Sequence, residues 1–175
     1  MTPMAIAQLG EPVLRQPAQP VPDPRDPAIR TLWQRMLVTM EQAGGVGIAA
    51  PQVFEPLRLM IIASRPNARY PDAPQMDPVV LINPEIEHTG GESVSFVEGC
   101  LSVPGIRGRV WRPNEVTLRY LDTEGQPQRR TLSGFPARIF LHEFDHLEGR
   151  TFLDQVNSPD DLIAQSVWER QCQGA

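Results

Sequence analysis

Histidine and cysteine are nearly missing from this sequence: three His (88, 142 and 146) and two Cys (100 and 172) in 175 residues. Two cysteines exclude a disulfide framework and point to a reducing compartment. So few histidines leave few ways to build a metal site or a catalytic triad. No run of eighteen apolar residues occurs, so no membrane-spanning helix is expected. Met1 to Gly10 shows no basic region followed by an apolar stretch, so no secretory leader is expected. Positive charge is also short, with 16 basic against 21 acidic residues and a net charge of −5. That balance argues against a nucleic-acid or anionic-membrane partner.

Proline, by contrast, is plentiful. The chain has 19, about double ordinary usage. Six fall between Glu11 and Pro27 and another cluster runs from Pro66 to Pro84. They read as loop punctuation, because periodic apolar segments lie between them. The length suits one domain, and neither a repeat nor a long linker divides it. A single catalytic domain over residues 1–175 is expected.

Asp26-Pro27 opens a helix, with Asp as the cap and Pro at the first helical position. Ile29, Leu32, Trp33, Met36, Leu37 and Met40 then form one apolar stripe, and Gly44-Gly45 ends it. Leu57–Ala63, Val79–Asn83 and the alternating Val116, Leu118 and Tyr120 read as strands. Asp122–Gly125 is a turn, with Gln128–Leu132 returning as a hairpin partner. A second helix is expected from about Gly134 to Glu148, capped by Ser133 and stopped by Gly149. A third is expected from Ser158-Pro159-Asp160-Asp161 to near Gln171. Strands clustered between helices suggest an α+β fold with a mostly antiparallel sheet.

His142-Glu143-Phe144-Asp145-His146 reads H-E-x-x-H. On a helix, residues i and i+4 share a face, so both imidazoles can reach one metal ion. Glu143 stands beside them, placed to handle the proton of an attacking water. A catalytic site needs a third ligand. The metzincin pattern would put a His where Phe152 stands, and a thermolysin-like site would use a downstream Glu, for which Glu169 is the candidate. His88 reads as a surface residue and Cys172 as free. Cys100, in Glu98-Gly99-Cys100-Leu101-Ser102, is either a small buried hydrophobe or a thiolate ligand. Gly45 to Gln52 is rich in small residues that let a backbone or ligand approach, and Gln52 can donate to a developing oxyanion.

Taken in order, these three segments resemble peptide deformylase. The family motifs G-x-G-[LI]-A-A-x-Q, E-G-C-L-S and H-E-x-D-H-L-x-G stand here as Gly45–Gln52, Glu98–Ser102 and His142–Gly149. Phe152 and Asp154 continue the third, Gln8–Arg15 resembles the family's opening, and the resemblance runs to about residue 156. It implies an α+β fold with mostly antiparallel sheets packed around a central helix carrying the third motif, flanked by an N-terminal and a C-terminal helix. It also implies removal of the N-formyl group from the initiator methionine of nascent polypeptides. Cys100, His142 and His146 become the ligands of one divalent metal ion, Fe²⁺ foremost, with Zn²⁺, Ni²⁺ or Co²⁺ able to substitute. Glu143 becomes the proton carrier, and Gln52 with the Leu101 N–H becomes the oxyanion hole. Gly45, Val46, Gly47, Phe135 and Ile139 become the substrate-binding wall.

The resemblance leads to an expectation of a monomer in the bacterial cytoplasm, or in an organelle stroma or matrix. Arg112 is expected behind the metal loop, paired with Glu98. Arg107 is left as either a contact to the substrate backbone or a solvated charge. Departures from the pattern include Ile48 for the commoner Leu and Val97 before Glu98. Gly134–Arg138 resembles the branch containing organellar enzymes, with Arg138 either narrowing the pocket rim or pointing outwards. Two competing readings remain: an H-E-x-x-H metallopeptidase with Glu169 as third ligand, and a structural metal module. The second is disfavoured because no second cysteine lies near Cys100.

Overall fold

A computed structural model describes residues 1–67 and 70–173. In chain order the elements are α1 (Pro27–Gln42), β1 (Gly47–Ala49), β2 (Leu59–Ser64), β3 (Met76–Cys100), β4 (Val103–Leu121), β5 (Pro127–Ser133), α2 (Phe135–Leu147), β6 (Leu162–Ala164) and α3 (Gln165–Gln173). All strand pairs are antiparallel, in the order β1-β2-β3-β4-β5, with β6 also on β4. This is the α+β architecture expected from the sequence.

The run Leu-Met-Ile-Ile of β2 shows how the layers form. Met60 and Ile62 join the α2 side chains Ile139, Phe140 and Leu141 in one core cluster. Leu59 and Ile61 join Ile29, Leu32, Met36 and Met40 of α1 in another. Alternate residues of a strand face opposite sides, so the run Leu59–Ile62 is apolar throughout because a helix covers each face. The α1 stripe is therefore core, and Asp26 caps it by accepting from the Ala28 N–H at 2.8 Å.

Several boundaries differ from the sequence expectation. β3 and β4 run through segments read as loops, and Pro78 and Pro84 lie inside β3. Proline cannot donate to a ladder, and both fall at register shifts, between Ile62 and Ser64 on the β2 side and between Ile82 and Glu85 on the β4 side. Ser133 ends β5 instead of capping α2; Gly134, at φ 63°, makes the corner. The third helix is shorter than expected. Ser158 caps only a 3-10 turn, Leu162–Ala164 is diverted into pairing with β4, and α3 starts at Gln165. Among the described residues, no helix is long and apolar enough to cross a membrane.

Candidate metal centre and active site

The sheet brings the end of β3 to α2. Cys100 is the last residue of β3, and a register shift at Gly99/Cys100 breaks the ladder there. Its Sγ lies 3.2 Å from His146 Nε2. The ligand atoms of Cys100, His142 and His146 all lie within 4.8 Å of one another. Burial would raise the Cys100 thiol, but His146 and His142 outweigh it and hold the thiol well below its ordinary range. A thiolate with two imidazoles is a donor set suited to zinc or ferrous iron, and the residues fit such an ion.

Behind the ligands is a buried ionic cluster centred on Glu98. Its Oε2 lies 2.9 Å from His142 Nδ1, which donates to it because a carboxylate only accepts. This leaves Nε2 of His142 for an ion, the carboxylate-histidine arrangement that fixes a ligand ring. Arg112 grips Glu98 with two bonds of 2.6 and 2.9 Å and reaches Asp145 at 2.9 Å. Arg138 donates to Glu98 at 2.8 Å. Burial raises the Glu98 carboxyl, but the bonds from His142 and Arg112 overcome it and hold it far below the usual carboxylate range.

Arg138 thus does not point outwards; it lies on the cleft lining. It is buried, and its guanidinium also lies over the Phe96 ring, 5.2 Å from the centroid. Asp145 stands in the third motif with no role assigned from sequence; three residues after His142, it lies on the same face of the helix and meets Arg112.

Gln52 sits in the 3-10 turn after β1, and its Oε1 accepts from the Ala49 N–H at 2.8 Å. That bond turns its Nε2 towards Ser102 Oγ at 3.2 Å and Cys100 Sγ at 3.5 Å. Glu143 is buried, with Oε2 lacking a hydrogen-bond partner among the described residues. Burial raises its pKa to about 7, against the pull of both histidines. The space that Gly47 leaves is filled by this carboxylate, which a β-carbon there would strike. A cleft of about 270 Å³ joins these groups, lined by Gly45, Val46, Gly47, Gln52, Cys100, Leu101, Phe135, Ile139, His142 and Glu143. Every residue proposed from sequence for the substrate wall is on that lining. Glu169 is not on that lining: exposed on α3, it accepts from Gln165 and is no part of the Cys/His/His group. His88 is exposed, as expected, and Cys172 is a free, exposed thiol.

A family model described as polypeptide deformylase matches residues 3–161. The chain belongs to the polypeptide deformylase family. A peptide deformylase 2 of Shewanella oneidensis is 50% identical over 164 residues, covering 93% of this chain and 90% of that protein. A peptide deformylase 2 of Nostoc sp. is 48% identical over 166 residues, covering 95% and 93% respectively. The Met-Ala-Ser-bound crystal structure of a class I type b peptide deformylase from Acinetobacter baumannii superposes with a TM-score of 0.86 at 44% identity. It covers 89% of this chain and 99% of that one. Membership makes the chain a hydrolase of a metal-dependent family, with Cys100, His142 and His146 as the group able to hold the metal.

Proposed function

We propose that this deformylase removes the formyl group from the N-terminal formyl-methionine of new polypeptides, releasing formate, and that its residues divide the work as follows. Cys100, His142 and His146 hold one divalent ion, Fe²⁺ in the native enzyme, with Zn²⁺, Ni²⁺ or Co²⁺ able to replace it. Such an ion supplies Lewis acidity, polarising the formyl carbonyl and acidifying water. Glu143 takes the proton of the attacking water and returns it to the departing amine. A carboxyl poised near 7 by burial is suited to both halves of that transfer.

Gln52 Nε2 and the Leu101 N–H donate to the oxygen on which charge develops, with Gln52 held by the Ala49 bond. Val46, Phe135 and Ile139 receive the methionine side chain, an apolar group needing apolar walls. Gly45 and Val46 pair with the extended peptide backbone. The enzyme acts as a monomer in the bacterial cytoplasm, or within an organelle if the chain is organellar.

The observation that carries this reading is a three-ligand thiolate-imidazole group opening onto a cleft beside a buried carboxylate, Glu143, whose Oε2 has no hydrogen-bond partner among the described residues. The test is formate release from formyl-Met-Ala-Ser by anaerobically prepared protein of measured metal content. Cys100→Ala should lose metal and activity. Glu143→Gln should keep the metal and lose about 10²–10⁴ in rate. No formate above buffer from metal-loaded protein would overturn the reading.

A further inference from the structure

Three arginines are buried beside the cleft, and only two of them meet a carboxylate. Arg112 and Arg138 share Glu98. Arg107 is 1% exposed and forms no ion pair among the described residues. Its partners are neutral. Nε donates to Gln165 Oε1 at 2.6 Å, and Nη1 donates to the Tyr70 hydroxyl at 3.2 Å. Trp168 stacks on the guanidinium with 3.8 Å between Cζ and the ring centroid. Nη2 has no hydrogen-bond partner among the described residues. Glu169 reaches Gln165, not the arginine.

A cation taken out of water is stabilised far better by an anion than by neutral groups, so this guanidinium is under-compensated. It is also placed where a ligand passes. Arg107, Tyr70, Gln165 and Gly99 all line the cleft. Across the β3–β4 hairpin Arg107 is the register partner of Gly99, the residue before Cys100, and a β-carbon on Gly99 would lie 2.9 Å from its Cζ. The absent side chain at Gly99 is what lets the fork lie there.

We propose that Arg107 is a carboxylate-binding position of the cleft, taking an acidic group on the peptide a few residues downstream of the formyl-methionine. The planar fork suits a carboxylate. Trp168, Gln165 and Tyr70 are positioning residues that hold the fork in place, which gives the C-terminal helix a part in substrate choice. The proposal rests on the deformylase reading. The carboxylate comes either from an aspartate or glutamate side chain or from the free C-terminus of a short peptide.

The test compares kcat/KM of the metal-loaded enzyme on five peptides. They are formyl-Met-Ala-Ser-amide, the same peptide with Asp or Lys at the third position, formyl-Met-Asp-Ser-amide, and formyl-Met-Ala-Ser with its free carboxylate. At least one carboxylate peptide should exceed the neutral amide by about tenfold, mainly through KM, and the lysyl peptide should fall below it. Which peptide gains identifies the source. The gain should shrink as salt is raised, which a merely structural role would not produce. Arg107→Gln should abolish it. Trp168→Leu, which leaves the arginine in place, should cut it several-fold while metal content is unchanged. All carboxylate peptides within twofold of the neutral amide would overturn the proposal, as would a gain undiminished in both variants. Turnover of the neutral amide tests the deformylase reading separately; its absence with every peptide overturns that reading and this proposal with it.

Discussion

Glutamate meets arginine at both ends of the β3–β4 hairpin. Far from the turn, Arg119 reaches Glu85 at 2.9 Å and Glu87 at 3.2 Å, with the Arg119 side chain 62% exposed. Near the turn, Arg112 reaches Glu98 at 2.6 Å with side chains 6% and 4% exposed. The contact distances are similar and the consequences are not. Water already solvates the first set, so forming it changes little free energy. The second set is out of water, so each charge depends on the others, and the carboxylate passes that constraint to His142. Burial, not the count of ion pairs, separates a decorative contact from one that sets a ligand's orientation.

The largest expected break in this contrast comes from Arg112→Met. It removes the two-bond partner of Glu98 and the ion pair to Asp145, and should cost about 3–5 kcal/mol of stability in chemical denaturation. Metal affinity, read by competition with a chelator, should fall about 10–100-fold. A loss below about 1 kcal/mol would mean the two ends do not differ.

Acid is expected to act next, through Glu98. Its folded-state pKa is depressed, so its contribution is fully present above the ordinary carboxylate value of about 4.3 and is lost as the pH falls below it. Stability of the chelator-treated protein should decline through that range, and Glu98→Gln, destabilised at neutral pH, should show a shallower decline. Equal slopes would remove Glu98 from the account. The smallest effect is expected at the exposed end: Arg119→Ala should change stability by less than about 1 kcal/mol, and less still in high salt.

The prolines and the arginines show where reading the sequence stopped. The α1 stripe and the small-residue run at Gly45 were legible because local spacing dictates them. Pro78 and Pro84 were not legible as strand residues, because a bulge that tolerates proline exists only when a partner strand is present. Leu162–Ala164 followed a good cap signal yet became strand, since the β4 edge at Ile106–Gly108 offered backbone partners. That Arg107 and Arg138 are both buried, one on neutral partners and one on Glu98, was open in the sequence for the same reason: a buried arginine and a solvated one are spelled alike.

By itself the sequence determined the helix face carrying His142 and His146, because a spacing of four residues sets that geometry within one turn. Three motifs in order also determined the family, and so singled out Cys100 from the two cysteines. Only the tertiary structure decided that Cys100 meets the histidines, that Arg112, Arg138 and His142 converge on Glu98, and that Arg107 has no anion among the described residues at the cleft. Those facts depend on strand register and on which side chains lose water, and both are set by contacts between segments far apart in the chain.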